Sequence, residues 1–471
     1  MDILRSFIQG MLDLGAPIVL PIIMFFIGLL FGIGVRRAFS AGLLLGVAFA
    51  GMNVILGFML GVIGPAAQEF VKHTGIQLTA IDLGWTPTAA IAWAWPYAFL
   101  MFPLQIAINL VMLGFNWTQT LNVDMWNVWN KVLTGVLVAG ISGSVIAAFV
   151  LCAIQVVWEL KQADWSVNLV EENSHIPGVA LPHSLFFEWI IFVPLNRLLD
   201  YVPPFKGRTY APEAIREKIG VFGENHVVGF IVGLFIAIMA GYDLKGVLTL
   251  GIQSATALTL FPMVATLFIT ALMPIADGAK VFMAARYPGR EFHIGLDWPF
   301  LAGLSSIWVA AILNVPVMIL WAIILPGNIV LPFGGIMALA TTITAAVVCR
   351  NDVLRTTFLT WITQPVWIYA GTFFAGPITN LGRAVGTVTI PANVQFISWI
   401  NMECPTWRVT AATVASIFTK GEVFPGLIFG VALAALFFFS MRLLREEDRK
   451  SAVVLGKIPA GPEAPGEALA A

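Results

Sequence analysis

The chain has 471 residues, of which 59% are hydrophobic and 11% charged, with a formal net charge of -1. A water-soluble chain carries about twice that charged fraction because water wets its whole surface, so the composition excludes a soluble protein. With 25 basic residues against 26 acidic ones there is no field to attract phosphate backbones, which excludes a nucleic-acid partner.

Met1 to Gly15 carries Asp2, Arg5 and Asp13, and the apolar run behind it is too long for the h-region of a cleaved signal peptide. This first segment is expected to stay as structure. A membrane-crossing helix needs about 20 mainly apolar residues. Windows that approach or meet this are Ala16 to Gly34, Ala41 to Gly61, Ala89 to Phe115, Val132 to Val157 and Val227 to Gly241. They continue at Val247 to Met273, Leu301 to Leu325, Ile336 to Val348, Phe358 to Phe374 and Val423 to Met441. The expected fold is an all-α polytopic membrane protein of about 10–12 spans. Its 16 Trp, 35 Phe and 43 Gly suit that class, since small residues let helices approach and aromatic rings sit at headgroup level.

Between these windows, Gly64 to Trp85, Ile176 to Val193, Phe292 to Phe300, Pro326 to Gly335 and Gly371 to Ile400 are apolar yet broken by Gly and Pro. Irregular backbone at membrane depth survives only inside protein or around a watery cavity. These stretches are therefore expected to form re-entrant hairpins lining a path. Arg36 and Arg37, the Arg197 to Lys218 segment and Arg442 to Lys457 concentrate positive charge and are assigned to the cytoplasmic side. Residues 446–471, richest in Pro, Gly, Ala and Glu beyond Leu455, read as a disordered cytoplasmic tail.

The two halves of the sequence echo each other. Arg37-Ala-Phe-Ser-Ala-Gly-Leu-Leu-Leu-Gly46 matches Tyr242-Asp-Leu-Lys-Gly-Val-Leu-Thr-Leu-Gly251, Gly64-Pro-Ala-Ala67 matches Met273-Pro-Ile-Ala276, and Ile81-Asp-Leu-Gly-Trp85 matches Ile294-Gly-Leu-Asp-Trp298. The order is kept and the spacing grows smoothly. Duplicated halves with matching interrupted segments are a transporter pattern, in which the interruptions mark the binding site.

Asp82 and Asp297 fall in two such interruptions, each near a Trp and a Pro. A carboxylate at membrane depth either accepts hydrogen bonds from a polar ligand or caps the following helix. His183, in Leu181-Pro-His-Ser184, offers one donor and one acceptor to a hydroxyl, or bonds a carbonyl within a hairpin. Glu224 either lines the cavity or marks the cytoplasmic start of the next span. In Asn122-Val-Asp-Met-Trp-Asn-Val-Trp-Asn130, Asp124 and Asn127 would share a helical face, as would Asn127 and Lys131. Trp faces beside carboxylates and amides suit a polyol, and Trp85 is the candidate stacking ring. Trp93, Trp95 and Trp117 read instead as an interfacial belt. Asn53 at mid-span either bonds across helices or faces the path.

Cys152, Cys349 and Cys404 are scattered, without metal or disulfide spacing. No HExxH, GxSxG or P-loop is present. The chain reads as a carrier without a catalytic nucleophile, cofactor or metal, drawing energy from an ion gradient or a partner.

Gly64-Pro-Ala-Ala67, Asp82-Leu-Gly-Trp85, Asn122-Val-Asp-Met-Trp-Asn127, Pro182-His183, Phe222-Gly-Glu224, Ala240-Gly-Tyr-Asp-Leu-Lys-Gly-Val-Leu248, Glu291-Phe-His-Ile-Gly-Leu-Asp297 and Pro326-Gly-Asn-Ile-Val-Leu-Pro-Phe-Gly334 carry a family resemblance. Through them the chain resembles the galactitol-type enzyme IIC component of the bacterial phosphoenolpyruvate-dependent sugar phosphotransferase system, from about Leu14 to about Arg445. Gly371 to Gly421, with Cys404, Trp407 and Arg408, is the least family-like part. The resemblance implies a membrane-embedded transport domain over 1–445, with repeat halves near 16–220 and 221–441. It also implies an elevator-type core with re-entrant hairpins and a dimerising scaffold, in a multi-pass protein of the bacterial inner membrane. The substrate, galactitol or a related polyol or sugar, would be phosphorylated by a separate IIB subunit, itself charged by IIA. Asp297 and His183 would contact it by motif, with Asp82, Trp85 and Asn127 aligned less securely. A proton-coupled transporter on the same scaffold, or a receptor without transport, would share many of these residues.

Overall fold

The computed structural model describes residues 6, 10, 14, 16–212, 221, 224–286, 289–386, 388, 390 and 394–459. The expectation for Met1 to Gly15 lies almost wholly outside these residues, as does that for 460–471.

Lipid offers no hydrogen bonds, so an apolar chain must satisfy its backbone internally, and helices do so within one segment. Helices α1 (Ala16–Leu30), α2 (Val35–His73), α9 (Asn225–Met239) and α10 (Leu244–Arg286) pack on one another. At 1.5 Å per residue, the 39 residues of α2 extend about 58 Å, well beyond the ~30 Å hydrocarbon layer. Here the structure departs from the expected break at Gly64. The helix runs through Pro65 to His73, and α10 likewise runs through Pro262 and Pro274. Proline is tolerated in such helices because neighbouring groups re-satisfy the backbone it frees.

The other helices are α3 (Trp85–Trp93), α4 (Met101–Gly114), α5 (Trp129–Ser142), α6 (Val145–Trp165), α7 (Val167–Ser174), α8 (Trp189–Leu199), α11 (Ser305–Ile324), α12 (Leu339–Val348), α13 (Val353–Val385), α14 (Pro405–Lys420) and α15 (Val423–Val454). Two expected single spans are broken. Ala89 to Phe115 bends by 91° between α3 and α4, where Pro96 interrupts the run. Val132 to Val157 is interrupted at Gly143, whose φ of 75° ends α5. Conversely, α13 passes through Gly371 and Gly376 to Val385, where an irregular stretch was expected.

Five helices among the described residues are long and apolar enough to cross a membrane, six if the bent pair counts as one, and three shorter apolar helices accompany them. The chain is thus an all-α polytopic membrane protein. Residues 446–454, read from composition as tail, continue α15. Their order has a cause. Glu447 accepts from Arg197 (3.0 Å) and Arg350 (2.9 Å), and Asp448 accepts from Asn168 N–H (2.7 Å). Burial opposes the charge on Arg350, but Glu172 and Glu447 outweigh it and hold its pKa above the ordinary arginine value.

The interruptions form two small parallel sheets. One has the order β5-β1-β6, from Val330–Leu331, Ala80–Asp82 and Phe396–Ser398; the other has the order β2-β4-β3, from Thr120–Asn122, His293–Gly295 and Val179–Ala180. Each sheet takes its middle strand from one half of the sequence and both edges from the other. Ile81 pairs with Leu331 and Ile397, while Ile294 pairs with Leu121 and Val179. Parallel sheets are stable when covered on both faces, and β4 is buried along its length.

Candidate functional site

The polar constellation grows from the ends of the β2-β4-β3 sheet. Just beyond β3, His183 caps the 3-10 turn Ser184–Glu188, its Nδ1 accepting from Leu185 N–H at 3.1 Å. That bond assigns the ring proton to Nε2. Nε2 stands 3.0 Å from Asp297 Oδ1.

Asp297, just beyond β4, caps the 3-10 turn Trp298–Leu301 by accepting from Trp298 N–H at 2.7 Å. Its own N–H donates to Asp124 Oδ2 at 3.0 Å, and Asp124 follows β2. Three strand ends thereby deliver His183, Asp297 and Asp124 to one place. The histidine is 1% exposed whereas the Asp297 side chain is 19% exposed, so the carboxylate is the accessible edge and the imidazole the wall behind it.

Asn127 is buried beside them. Its Nδ2 donates to Asn122 Oδ1 and to the Pro182 carbonyl, both at 3.1 Å. Lys131, one helical turn on, donates to the Asn127 carbonyl at 3.0 Å and forms an ion pair with Glu159. Both charges are buried, an arrangement that is retained in a low-dielectric interior only when paired.

Three further residues complete the wall. Gln162 Nε2 donates to the His183 carbonyl at 2.7 Å, and its oxygen accepts from Trp189 Nε1 at 3.0 Å. Asn130 places Nδ2 3.2 Å from His183 Nε2 and accepts from Arg408 at 2.8 Å. Arg408 also donates to the Glu403 carbonyl and to Thr134 Oγ1. Sequence reasoning gave Asn130, Glu159, Gln162 and Arg408 no role at the site. A usable signal was present: Lys131 and Glu159 are opposite charges at the two ends of the apolar run Val132 to Val157, and a charge at membrane depth needs a partner.

The other sheet explains why Asp82 has no matching partner. The strand registers place Gly84 where Asp297 stands, Gly334 where Asp124 stands and Asn401 where His183 stands. A Cβ added to Gly334 would lie 2.4 Å from Gly84 N, so backbone fills the volume that side chains occupy at the end of the β2-β4-β3 sheet. Asp82 is spent on that contact. Its Oδ1 accepts from Gly84 N–H at 3.0 Å and its Oδ2 from Gly335 N–H at 2.6 Å. Asn401 Oδ1 likewise accepts from Ala340 N–H at 3.2 Å.

The remaining sequence candidates are dispersed. Trp85 is half exposed and meets Trp129 edge-on at 5.9 Å; Trp129 in turn leans on Trp399 at 5.5 Å. Asn53 lies on an exposed face of α2, and Glu224 precedes α9, its Oε2 3.5 Å from His226 Nδ1. Among the described residues, no hydrogen bond or ion pair joins Asp82, Asn53 or Glu224 to His183 or Asp297. The three cysteines are buried and unpaired with one another.

Membrane-length helices, interrupted backbone enclosed by protein and a buried polar constellation with one accessible carboxylate define a polytopic permease. The chain belongs to the EIIC-GAT family, the PTS system sugar-specific permease components, which it matches over residues 10–393. It is 33% identical over 379 residues to the PTS system galactitol-specific EIIC component of Escherichia coli strain K12, covering 80% of this chain and 84% of that one. The same values hold for the galactitol-specific EIIC component of Escherichia coli O157:H7. The chain is accordingly a multi-pass inner-membrane component of a sugar phosphotransferase system. His183, Asp297, Asp124 and Asn127 lie inside the family match; Glu403 and Arg408 lie beyond its end.

Proposed function

We propose that this permease component binds galactitol or a closely related polyol and carries it across the inner membrane, for phosphorylation by a separate IIB subunit that IIA recharges. The observation that carries this reading is the 3.0 Å approach of His183 Nε2 to Asp297 Oδ1 from opposite halves of the sequence. A polyol presents hydroxyls that donate and accept. Asp297 would accept from one and His183 would orient the carboxylate, while Asp124 and Asn127 hold the two strand ends in register.

The same reading divides the chain into repeat halves and into a moving core and a scaffold. Helices α1, α2, α9 and α10 would form the dimerising scaffold. The elements around the two sheets would move against it as an elevator, taking the binding site with them. Arg197 to Lys218 and the end of α15 would face the cytoplasm, where IIB docks.

Vesicles containing the chain and supplied with the soluble phosphotransferase components and labelled galactitol test this. Galactitol phosphate should accumulate with the native chain and fail to do so with Asp297→Asn. Normal accumulation by that variant would overturn the site. Uptake that needs no phosphoryl donor and stops when the proton gradient collapses would overturn the coupling in favour of a proton-driven carrier.

A further inference from the structure

The buried face of α4 holds a polar group that neither the fold nor the constellation uses. Gln105 is 1% exposed, and neither its amide nitrogen nor its amide oxygen meets a hydrogen-bond partner among the described residues. An amide carries two donor hydrogens and an acceptor oxygen, and leaving these unpaired in a low-dielectric interior is costly.

Its position is fixed by its neighbour. Asn109, one helical turn further along α4, clips β2 by donating to the Thr120 carbonyl at 2.8 Å and accepting from Asn122 N–H at 2.9 Å. The chain reverses between α4 and β2. Stepping from Asn109 back to Gln105 therefore moves from Asn122 towards Asp124 and the 3-10 turn Met125–Val128, against which α4 packs. Gln105, on the same face of α4 as Asn109, is thereby directed towards the segment that carries Asp124 and Asn127. Asn314 also carries an unpaired amide, but its helix, α11, leads into β5 and the sheet that glycine backbone closes.

We propose that Gln105 is a specificity-determining residue of this permease, its amide donating to and accepting from one hydroxyl of the bound polyol. A hydroxyl can satisfy both atoms at once, which a purely apolar or ionic solute cannot do. This rests on the polyol-binding reading above.

The test is calorimetric binding to the full chain in lipid nanodiscs, using galactitol and its 1-, 2- and 3-deoxy analogues, with Gln105→Leu, Gln105→Met and Asp297→Asn. Each Gln105 variant should bind galactitol about tenfold more weakly, the scale of one buried hydrogen bond. It should bind one deoxy analogue as the native chain does, because that analogue lacks the hydroxyl in question. Two results would overturn the proposal: unchanged galactitol affinity in a folded Gln105 variant, or equal losses for galactitol and every analogue, the mark of a structural role only. The Asp297→Asn arm separates the two readings. If it abolishes binding while the Gln105 variants do not weaken it, Gln105 alone is misassigned; if it leaves galactitol affinity intact, the polyol site itself falls.

Discussion

His183 Nε2 and Asp297 Oδ1 are 3.0 Å apart although the residues belong to opposite halves of the chain. What joins them is the exchange of strands: β4, which carries Asp297, lies between β2 and β3, and β3 leads to His183. Neither residue could reach the other if the halves folded as independent sheets.

Replacing His183 should therefore act through Asp297. His183→Ala removes the donor facing the carboxylate and the acceptor of Leu185 N–H, whereas His183→Gln can keep the donor. We expect His183→Ala to weaken galactitol binding by about 10- to 100-fold, from a charge-assisted hydrogen bond of roughly 1.5–3 kcal/mol. His183→Gln should recover part of the loss. Equilibrium binding to purified protein decides; equal affinities for the native chain and His183→Ala would refute the pairing.

Asp82 should behave in the opposite way. Its two oxygens accept backbone N–H groups of Gly84 and Gly335, so Asp82→Ala leaves buried donors unpaired at a cost of about 1–3 kcal/mol each. The melting temperature in detergent should drop, and protein that remains folded should bind substrate with little change. A variant that melts normally yet binds nothing would instead make Asp82 a ligand.

Gly334 lies against Gly84, with a built Cβ only 2.4 Å from Gly84 N and from Leu83 C. Because those atoms are backbone, no side-chain rotation can make room. Gly334→Ala should cost at least the ~1–3 kcal/mol of an overpacked core, and its thermal stability should fall below that of Gly64→Ala, where nothing lies within 4 Å. Comparable melting curves would show that the two strand ends can separate freely.

The buried Lys131–Glu159 pair offers a double-mutant test. Breaking it on one side, with Lys131→Met or Glu159→Leu, strands the partner's buried charge and should cost about 3–5 kcal/mol. Lys131→Met combined with Glu159→Leu should be closer to the native chain than either single change. Strictly additive losses in thermal unfolding would mean that the two groups are not coupled.

The sequence by itself determined the membrane class, because 11% charge over 471 residues cannot cover a water-exposed surface. It also located the interruptions at Ile81 to Trp85 and Ile294 to Trp298, since Gly, Pro and Asp inside apolar runs are conspicuous. Local pattern could not say which breaks were real: Pro65 lies within an unbroken α2, while Gly143 ends α5. That choice depends on whether neighbouring groups satisfy the freed backbone, a tertiary property. Nor could it say what each carboxylate meets. Asp82 and Asp297 stand at different positions of matching motifs, but only the fold gives Asp82 the N–H groups of Gly84 and Gly335 and brings Asp297 to His183 and Asp124. The same carboxylate chemistry thus braces backbone in one sheet and leaves an accessible edge in its twin, because only packing across the two halves decides which partners reach each oxygen.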